Sequence, residues 1–241
     1  MFRILTTLYN SEKYIGTTLH TVLAQKKEDW VCYVLNDLSE DRSDEIVNSF
    51  AEGDERIRHI KNERKFHQVG NYAQVMALDE IDDEDIVLTL DGDDWFSDDK
   101  VLNRLEEAYS DNNTWMTYGS FLHWHGPKQL TEGFAFPPED FSRLREVRYT
   151  TTHLRTWKAF LWRKIKEEDL LRDDGSVITS GGDTAFMYPM LEMAGPDRAK
   201  FLGNINYIYN VETDSNVYKL RLQEQHDTAD EIRSRTPYKK L

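Results

Sequence analysis

The chain has 241 residues, 39% of them hydrophobic and 31% charged, so it can build a folded core and is not disordered throughout. Its 44 acidic and 30 basic side chains give a formal net charge of −14, which disfavours nucleic acid as a partner because a phosphate backbone needs a cationic face. No apolar run approaches the roughly 20 residues that cross a bilayer, the opening Met1-Phe2-Arg3-Ile4-Leu5-Thr6 lacks a signal-peptide pattern, and the single Cys32 allows no internal disulfide; the expectation is a soluble, cytoplasmic protein.

In chain order, residues 3–8 and 30–35 are short, β-rich and bounded by turn formers, as buried strands are. Between them Ser11 is a candidate cap for a helix to about Gln25, with Tyr14, Ile15, Leu19, Val22 and Leu23 on one face. Ser39 or Asp41 would begin a second helix on the stripe Ile46, Val47 and Phe50. A strand over 56–61, a helix over 68–78 entered through Gly70, a strand over 85–90, a helix over 99–109 and a strand over 114–118 follow. This alternation predicts an α/β fold, a mostly parallel Rossmann-like sheet with helices on both faces, and ligands at the carboxyl ends of its strands.

From 120 to 180 the pattern loosens into an aromatic, turn-rich excursion over the sheet. Within it a helix over 154–164 is expected, with Trp157, Leu161 and Ile165 inward. A helix over 183–193 capped by Asp183, a strand over 201–209 and a polar helix over 218–235 complete the chain. No linker or repeat divides it, so one domain is expected.

The strongest chemical signal is the apolar strand Ile86-Val87-Leu88-Thr89-Leu90 running into Asp91-Gly92-Asp93-Asp94-Trp95. Three carboxylates within four residues repel one another unless a cation or strong donors compensate. Such hard oxygen ligands suit Mn²⁺ or Mg²⁺, which use one or two carboxylates plus phosphate oxygens. Gly92 would let the backbone adopt an unusual angle and approach a ligand closely. Asp and Gly are also ordinary turn residues, so a plain solvated turn fits the same letters. A second strand ends in Asn36-Asp37-Leu38-Ser39-Glu40-Asp41, which would open Asp37 beside Asp91 if the two strands are neighbours.

Thr6-Thr7-Leu8-Tyr9-Asn10-Ser11-Glu12-Lys13-Tyr14-Ile15, then Thr21-Val22-Leu23-Ala24-Gln25, resembles the opening of family 2 glycosyltransferases with a GT-A fold. The Asn36–Asp41 turn is similar to that family's Asp-Asp-Gly-Ser-x-Asp segment, with Asn36 for the first Asp and Leu38 for the Gly. Asn62-Glu63 through Asn71 resembles its Asn-rich segment, and Asp91-Gly92-Asp93-Asp94 its Asp-x-Asp motif, in the family's order over residues 1–120. The resemblance implies a single GT-A domain: a donor half over 1–120, an irregular acceptor side and C-terminal helix over 121–241, and transfer of a sugar from a nucleoside diphosphate, UDP favoured, to an acceptor hydroxyl with inversion. It implies Thr7 and Tyr9 lining the nucleotide pocket, Asp37 at the base, Asp91 at the ribose, and Asp93 on the metal with Asp94 as a further ligand.

Ile178-Thr179-Ser180-Gly181-Gly182-Asp183 places a carboxylate where the family carries its catalytic acid motif, often Glu-Asp, so Asp183 is the candidate general base; Gly182 stands at the Glu. As a helix cap it would need no catalytic role. His153 and Arg155 are candidates for the diphosphate or the metal shell, or simply surface residues after a capping Thr. His67 and His226 need no role beyond loop and solvated helix. Among Trp95, Trp124, Trp157 and Trp162, one or two could stack on a sugar while the rest are core. The acceptor is open among glycan, lipid-linked sugar, protein and small molecule. The alternatives are a haloacid dehalogenase-type phosphatase, built on the same strand-to-Asp-Gly-Asp pattern, and a nucleotide-sugar-binding module without turnover.

Overall fold

The computed structural model describes residues 1–124, 131–212 and 222–241. Strands β1 (Phe2–Leu8), β2 (Trp30–Asn36), β3 (Ile57–Lys61) and β4 (Ile86–Thr89) alternate with helices α1 (Ile15–Leu23), α2 (Ser43–Gly53) and α3 (His67–Met76). Then come β5 (Trp95–Phe96), α4 (Val101–Tyr109), β6 (Met116–Trp124), β7 (Thr131–Glu132), β8 (Thr152–Lys158), α5 (Ala159–Arg163), α6 (Asp183–Ala194), β9 (Ala199–Asn210) and α7 (Leu222–Ser234). The sheet order is β3-β2-β1-β4-β8-β6-β9-β5, with β7 on β6. Parallel pairing joins β3, β2, β1 and β4, and again β6 and β9. Because β8 is antiparallel to both β4 and β6, those two strands point the same way, so β5, β7 and β8 alone run backwards among the described strands.

Period-two alternation sends successive apolar side chains to opposite faces. Ile4, Val34 and Leu88 pack with Ile15, Leu19, Val47 and Leu102 beneath α1, α2 and α4. Leu5, Leu35 and Val87 pack with Val69, Val75, Phe186 and Met190 beneath α3 and α6. Each such side chain contributes roughly 1.5–3 kcal/mol through burial. Two faces covered by helices explain why these strands are almost wholly apolar.

The helix expected over 154–164 is instead strand β8 followed by the single turn α5. An unpaired edge of β4 would waste its ladder, and β8 fills the slot between β4 and β6. Thr156 secures it, its hydroxyl lying 2.7 Å from both Tyr109 Oη and Thr117 Oγ1 in the core. Trp157, Leu161 and Ile165 do face inward. Strand β6 also reaches further than expected, through Trp124, into the segment read as irregular. Residues 218–221 of the expected terminal helix lie outside the described residues, and α7 begins at Leu222.

Two further expectations change at the loops. Ser11 and Ser39 do not cap their helices through side chains; Asp41 Oδ1 accepts the Ser43 amide at 2.9 Å, and Ser11 supplies its carbonyl to Tyr14 and Ile15. Helix α6 has Gly182 at its cap position, so Asp183 stands within the first turn and its Oδ2 accepts from Arg155. The β1 and β2 loops are knitted together by Asn10 N–H to Ser39 Oγ, Ser11 N–H to Ser43 Oγ, Glu12 N–H to Asp41 Oδ2, and the Glu40 N–H returned to Asn10 Oδ1. That lattice holds Leu38 at φ 64°, the left-handed region that explains the family's Gly at this position.

No helix among the described residues is long and apolar enough to cross a membrane. A Cβ on Gly182 would lie 2.4 Å from Val69 Cγ2 of α3, which accounts for glycine where the family carries Glu. Gly182→Ala should therefore lower stability by about 1–3 kcal/mol in urea unfolding, and Val69→Ala should restore part of it in the double variant.

Candidate active site

Parallel register delivers three loops to one edge of the sheet. Thr7 pairs with Leu35, Leu8 with Asn36 and Leu5 with Thr89, so Thr7, Asp37 and Asp91 emerge together. The backbone closes this edge through Asp37 N–H to Leu8 O at 2.9 Å and Gly92 N–H to Thr7 O at 2.9 Å. Gly92 has no left-handed φ; a Cβ there would stand 2.6 Å from Leu8 Cβ, so its smallness serves the contact with β1. Tyr9 is exposed just beyond β1, with the Lys65 ammonium 3.2 Å from its ring centroid.

Asp37 is buried and binds the following loop. Its Oδ1 accepts Asn62 Nδ2 at 2.9 Å and the Phe66 amide at 2.8 Å, and Oδ2 accepts the His67 amide at 3.0 Å. Asn62 Nδ2 also donates to Asn71 Oδ1 at 2.7 Å, which ties the segment to the middle of α3. The Asn-rich segment thus shapes the wall beside Asp37, next to an open cavity of about 490 Å³ lined by Lys61, Asn62, Arg64 and Phe66.

The three carboxylates of the acidic turn meet different surroundings. Asp94 is 1% exposed, its Oδ2 accepting the Tyr207 hydroxyl at 2.5 Å and its Oδ1 the Asn210 amide at 2.7 Å. Burial first, then the charges of Asp93 and Asp91, raise its carboxyl well above the ordinary range. Asp94, the additional metal ligand suggested by sequence, thus has both oxygens engaged in tying the turn to β9. Asp93 is half-buried at the turn. Asp91 is pushed up to about 6 by desolvation and by Asp93, against the pull of Arg155 and a Gln68 hydrogen bond.

Facing these acids is the one cation that β8 carries inward. Arg155 is 7% exposed, donates Nε to Thr151 O at 2.9 Å and Nη2 to Asp183 Oδ2 at 2.8 Å. Asp183, then Tyr149 and Asp91, hold its guanidinium above the usual value although burial opposes the charge. His153 is kept neutral by burial and by Arg155, well below its ordinary value. Its ring stacks on Tyr207 with centroids 4.3 Å apart, so its observed contacts are aromatic. His226 is exposed on α7.

Among the described residues no three His, Cys, Asp or Glu side chains form a self-sufficient metal cage. A divalent ion shared with a diphosphate needs only one or two carboxylates, and the crowded acids at the end of β4 suit that arrangement. Sequence reading missed Tyr207, Asn210 and Gln68, which position the acidic turn. No local motif marks them; they act through pairings more than 20 residues away. Arg155→Met should cost about 3 kcal/mol or more in unfolding free energy by stranding Asp183 and Asp91, and adding Asp183→Asn should recover part of it.

Residues 4–171, well over half of the chain, match the model of Glycosyl transferase family 2. A curated relative, TuaG of Bacillus subtilis (strain 168), named provisionally as a teichuronic acid biosynthesis glycosyltransferase, is 31% identical over 103 residues, 43% of this chain and 40% of TuaG. The crystal structure of S. aureus TarS 1-349 in complex with UDP-GlcNAc matches with a TM-score of 0.62 and 15% identity, over 89% of this chain and 59% of that one. The mannosyltransferase PcManGT from Pyrobaculum calidifontis, in complex with GDP-Man and Mn²⁺, matches with a TM-score of 0.62 and 16% identity, over 98% of this chain and 65% of that one. The chain thus spans less than two thirds of each of these proteins, and the two structures bear on the fold alone. The phosphatase alternative finds no support in the fold or the relatives. Sheet order, strand-edge acids and family match converge: the chain belongs to glycosyl transferase family 2 and has a GT-A fold.

Proposed function

We propose that this enzyme transfers a sugar, with inversion, from a nucleoside diphosphate sugar to an acceptor hydroxyl, with Mn²⁺ or Mg²⁺ as cofactor and UDP as the favoured nucleotide. Residues 1–120 hold the donor and 121–241 the acceptor, in the cytoplasm, where activated sugars are available. The observation that carries this reading is the meeting of Asp91, Arg155 and Asp183 from β4, β8 and α6 on one side of the acidic turn. Relatives that carry UDP-GlcNAc, or GDP-Man with Mn²⁺, support donor type and ion.

In this reading Thr7 and Tyr9 line the nucleotide pocket, Asp37 holds the loop that borders the base, and Asp91 accepts a ribose hydroxyl. Asp93 would hold the ion, while Asp94 braces the turn against β9. When bound, the ion would neutralise charge growing on the leaving diphosphate without moving a proton. Arg155 adds a fixed cation near the diphosphate, and neutral His153 packs behind it without adding a second charge. Asp183 takes the proton of the acceptor hydroxyl as that oxygen bonds to the anomeric carbon and the bond to the phosphate oxygen breaks. Arg155 holds Asp183 Oδ2 in place, leaving Oδ1 for the proton.

Mn²⁺ with UDP at a hundred times its dissociation constant should raise the melting temperature by about 5–10 °C, since binding to the native state alone adds about 2.7 kcal/mol. Absence of a shift with any common nucleoside diphosphate would overturn the donor site. Asp93→Ala should abolish the metal-linked shift, whereas Asp94→Asn, which can still pair with Tyr207 and Asn210, should retain most of it. Asp183→Asn should keep the shift and lose transfer by about 10²–10⁴-fold. Full turnover in Asp183→Asn would remove it as the base.

A further inference from the structure

Beside the acidic turn lies a pair of aromatic rings that the donor chemistry leaves unused. Trp95 follows Asp94 directly and opens β5; Trp124 ends β6. Their ring centroids are 5.7 Å apart at an interplanar angle of 68°, so one ring props the other edge to face. Trp124 is 42% exposed, more than any other tryptophan of the chain. Leaving so large an apolar surface in water forfeits burial energy, and at the rim of an enzyme's cleft such surface marks a contact with ligand.

A second observation lies on the neighbouring strand. In the β6–β9 register Trp124 pairs with Asn210, the residue whose backbone N–H holds Asp94 Oδ1 at 2.7 Å. Register partners project to the same face, so the Asn210 side chain stands beside Trp124. It is 2% exposed; Oδ1 accepts the Glu212 amide at 3.0 Å, while Nδ2 has no acceptor among the described residues. A buried amide donor left unmet costs about 1–3 kcal/mol, which a ligand oxygen would recover.

An aromatic face with an amide donor at its margin fits the chemistry of a pyranose ring, apolar on its C–H face and studded with acceptor oxygens at its rim. The place is also right for an acceptor, because Asn210 and Asp94 put the platform one strand from the acidic turn. Charge argues for a neutral occupant: the chain carries a net −14, and Glu212 is exposed beside Asn210, so a phosphorylated or carboxylated acceptor would meet repulsion. We propose that Trp124, backed by Trp95, and the Asn210 side-chain amide form the acceptor subsite, and that the acceptor is a neutral saccharide whose ring lies against Trp124. The proposal rests on the donor-site reading above: a hydroxyl of that saccharide attacks the anomeric carbon, the diphosphate leaves, and the proton passes to Asp183.

The test titrates UDP–Mn²⁺-loaded enzyme with neutral methyl glycosides of glucose, galactose and N-acetylglucosamine, and with glycerol 3-phosphate as the anionic comparison, following the heat of binding by titration calorimetry. At least one glycoside should give a saturable binding heat. Trp124→Ala should weaken that response at least tenfold, Trp124→Phe should retain most of it, and Asn210→Asp should weaken it while leaving the ring pair in place. The UDP–Mn²⁺ melting shift should persist in the Trp124 variants, which also reports that they fold. A response to glycerol 3-phosphate alone, no response to any glycoside in enzyme that shows the melting shift, or an undiminished response in Trp124→Ala would each overturn the acceptor subsite. Loss of the melting shift in the wild-type protein would instead overturn the donor site beneath it.

Discussion

Mutual repulsion among Asp91, Asp93 and Asp94 is the constraint around which the rest of the molecule is arranged. Two carboxylates 4 Å apart repel by about 4 kcal/mol at an effective dielectric constant of 20, so a folded chain must give each a separate remedy. Asp94 is turned inward onto the Tyr207 hydroxyl and the Asn210 amide. Asp91 lies in the field of Arg155 and within reach of Gln68. Asp93 stays half-buried at the turn, and in the proposed function it holds the divalent cation.

Two of these remedies come from the second half of the chain. Strand β8, running against its neighbours, carries Arg155 to the turn, and β9 brings Tyr207 and Asn210 from the other side. The first and second halves of the chain are therefore joined electrostatically at the site itself. Arg155 then extends the connection to α6 through Asp183. The C-terminal helix closes the arrangement from outside: a Cβ on Gly181 would come 3.2 Å from the Gln225 carbonyl, and Thr179 bonds Glu224. Buried Arg145 pairs with Glu192 at 2.6 Å and also accepts a place under α7 by donating to Ile232 O, so α6 is held from both sides.

The same architecture gives the cleft two characters. On one side the loops after β1 and β2 are cross-linked by side-chain to backbone bonds, a rigid frame suited to a ligand with fixed shape. On the far side the turn passes directly into the Trp95–Trp124 pair and the amide of Asn210, a surface of aromatic faces rather than charges. The proposed sugar transfer needs both: a tightly held leaving group and a cleft wall against which different geometry can be selected.

Strand–helix alternation, the apolar runs of β1, β2 and β4, and the acids after β2 and β4 were legible in the sequence, because each is a local pattern imposed by burial on two faces and by turn chemistry. The order of motifs pointed to the fold for the same reason. Unreadable were the strand nature of 152–158, the inward turn of Asp94, the Arg155–Asp183 pair and the neutral, stacked state of His153. Those outcomes belong to the tertiary structure, since each depends on partners that only sheet pairing brings together: β4 and β6 around Thr156, β9 against the acidic turn, and α6 beside β8. Local composition sets which groups are present at the edge of the sheet; the dielectric and the counter-charges that decide what each group does come from residues distant along the chain.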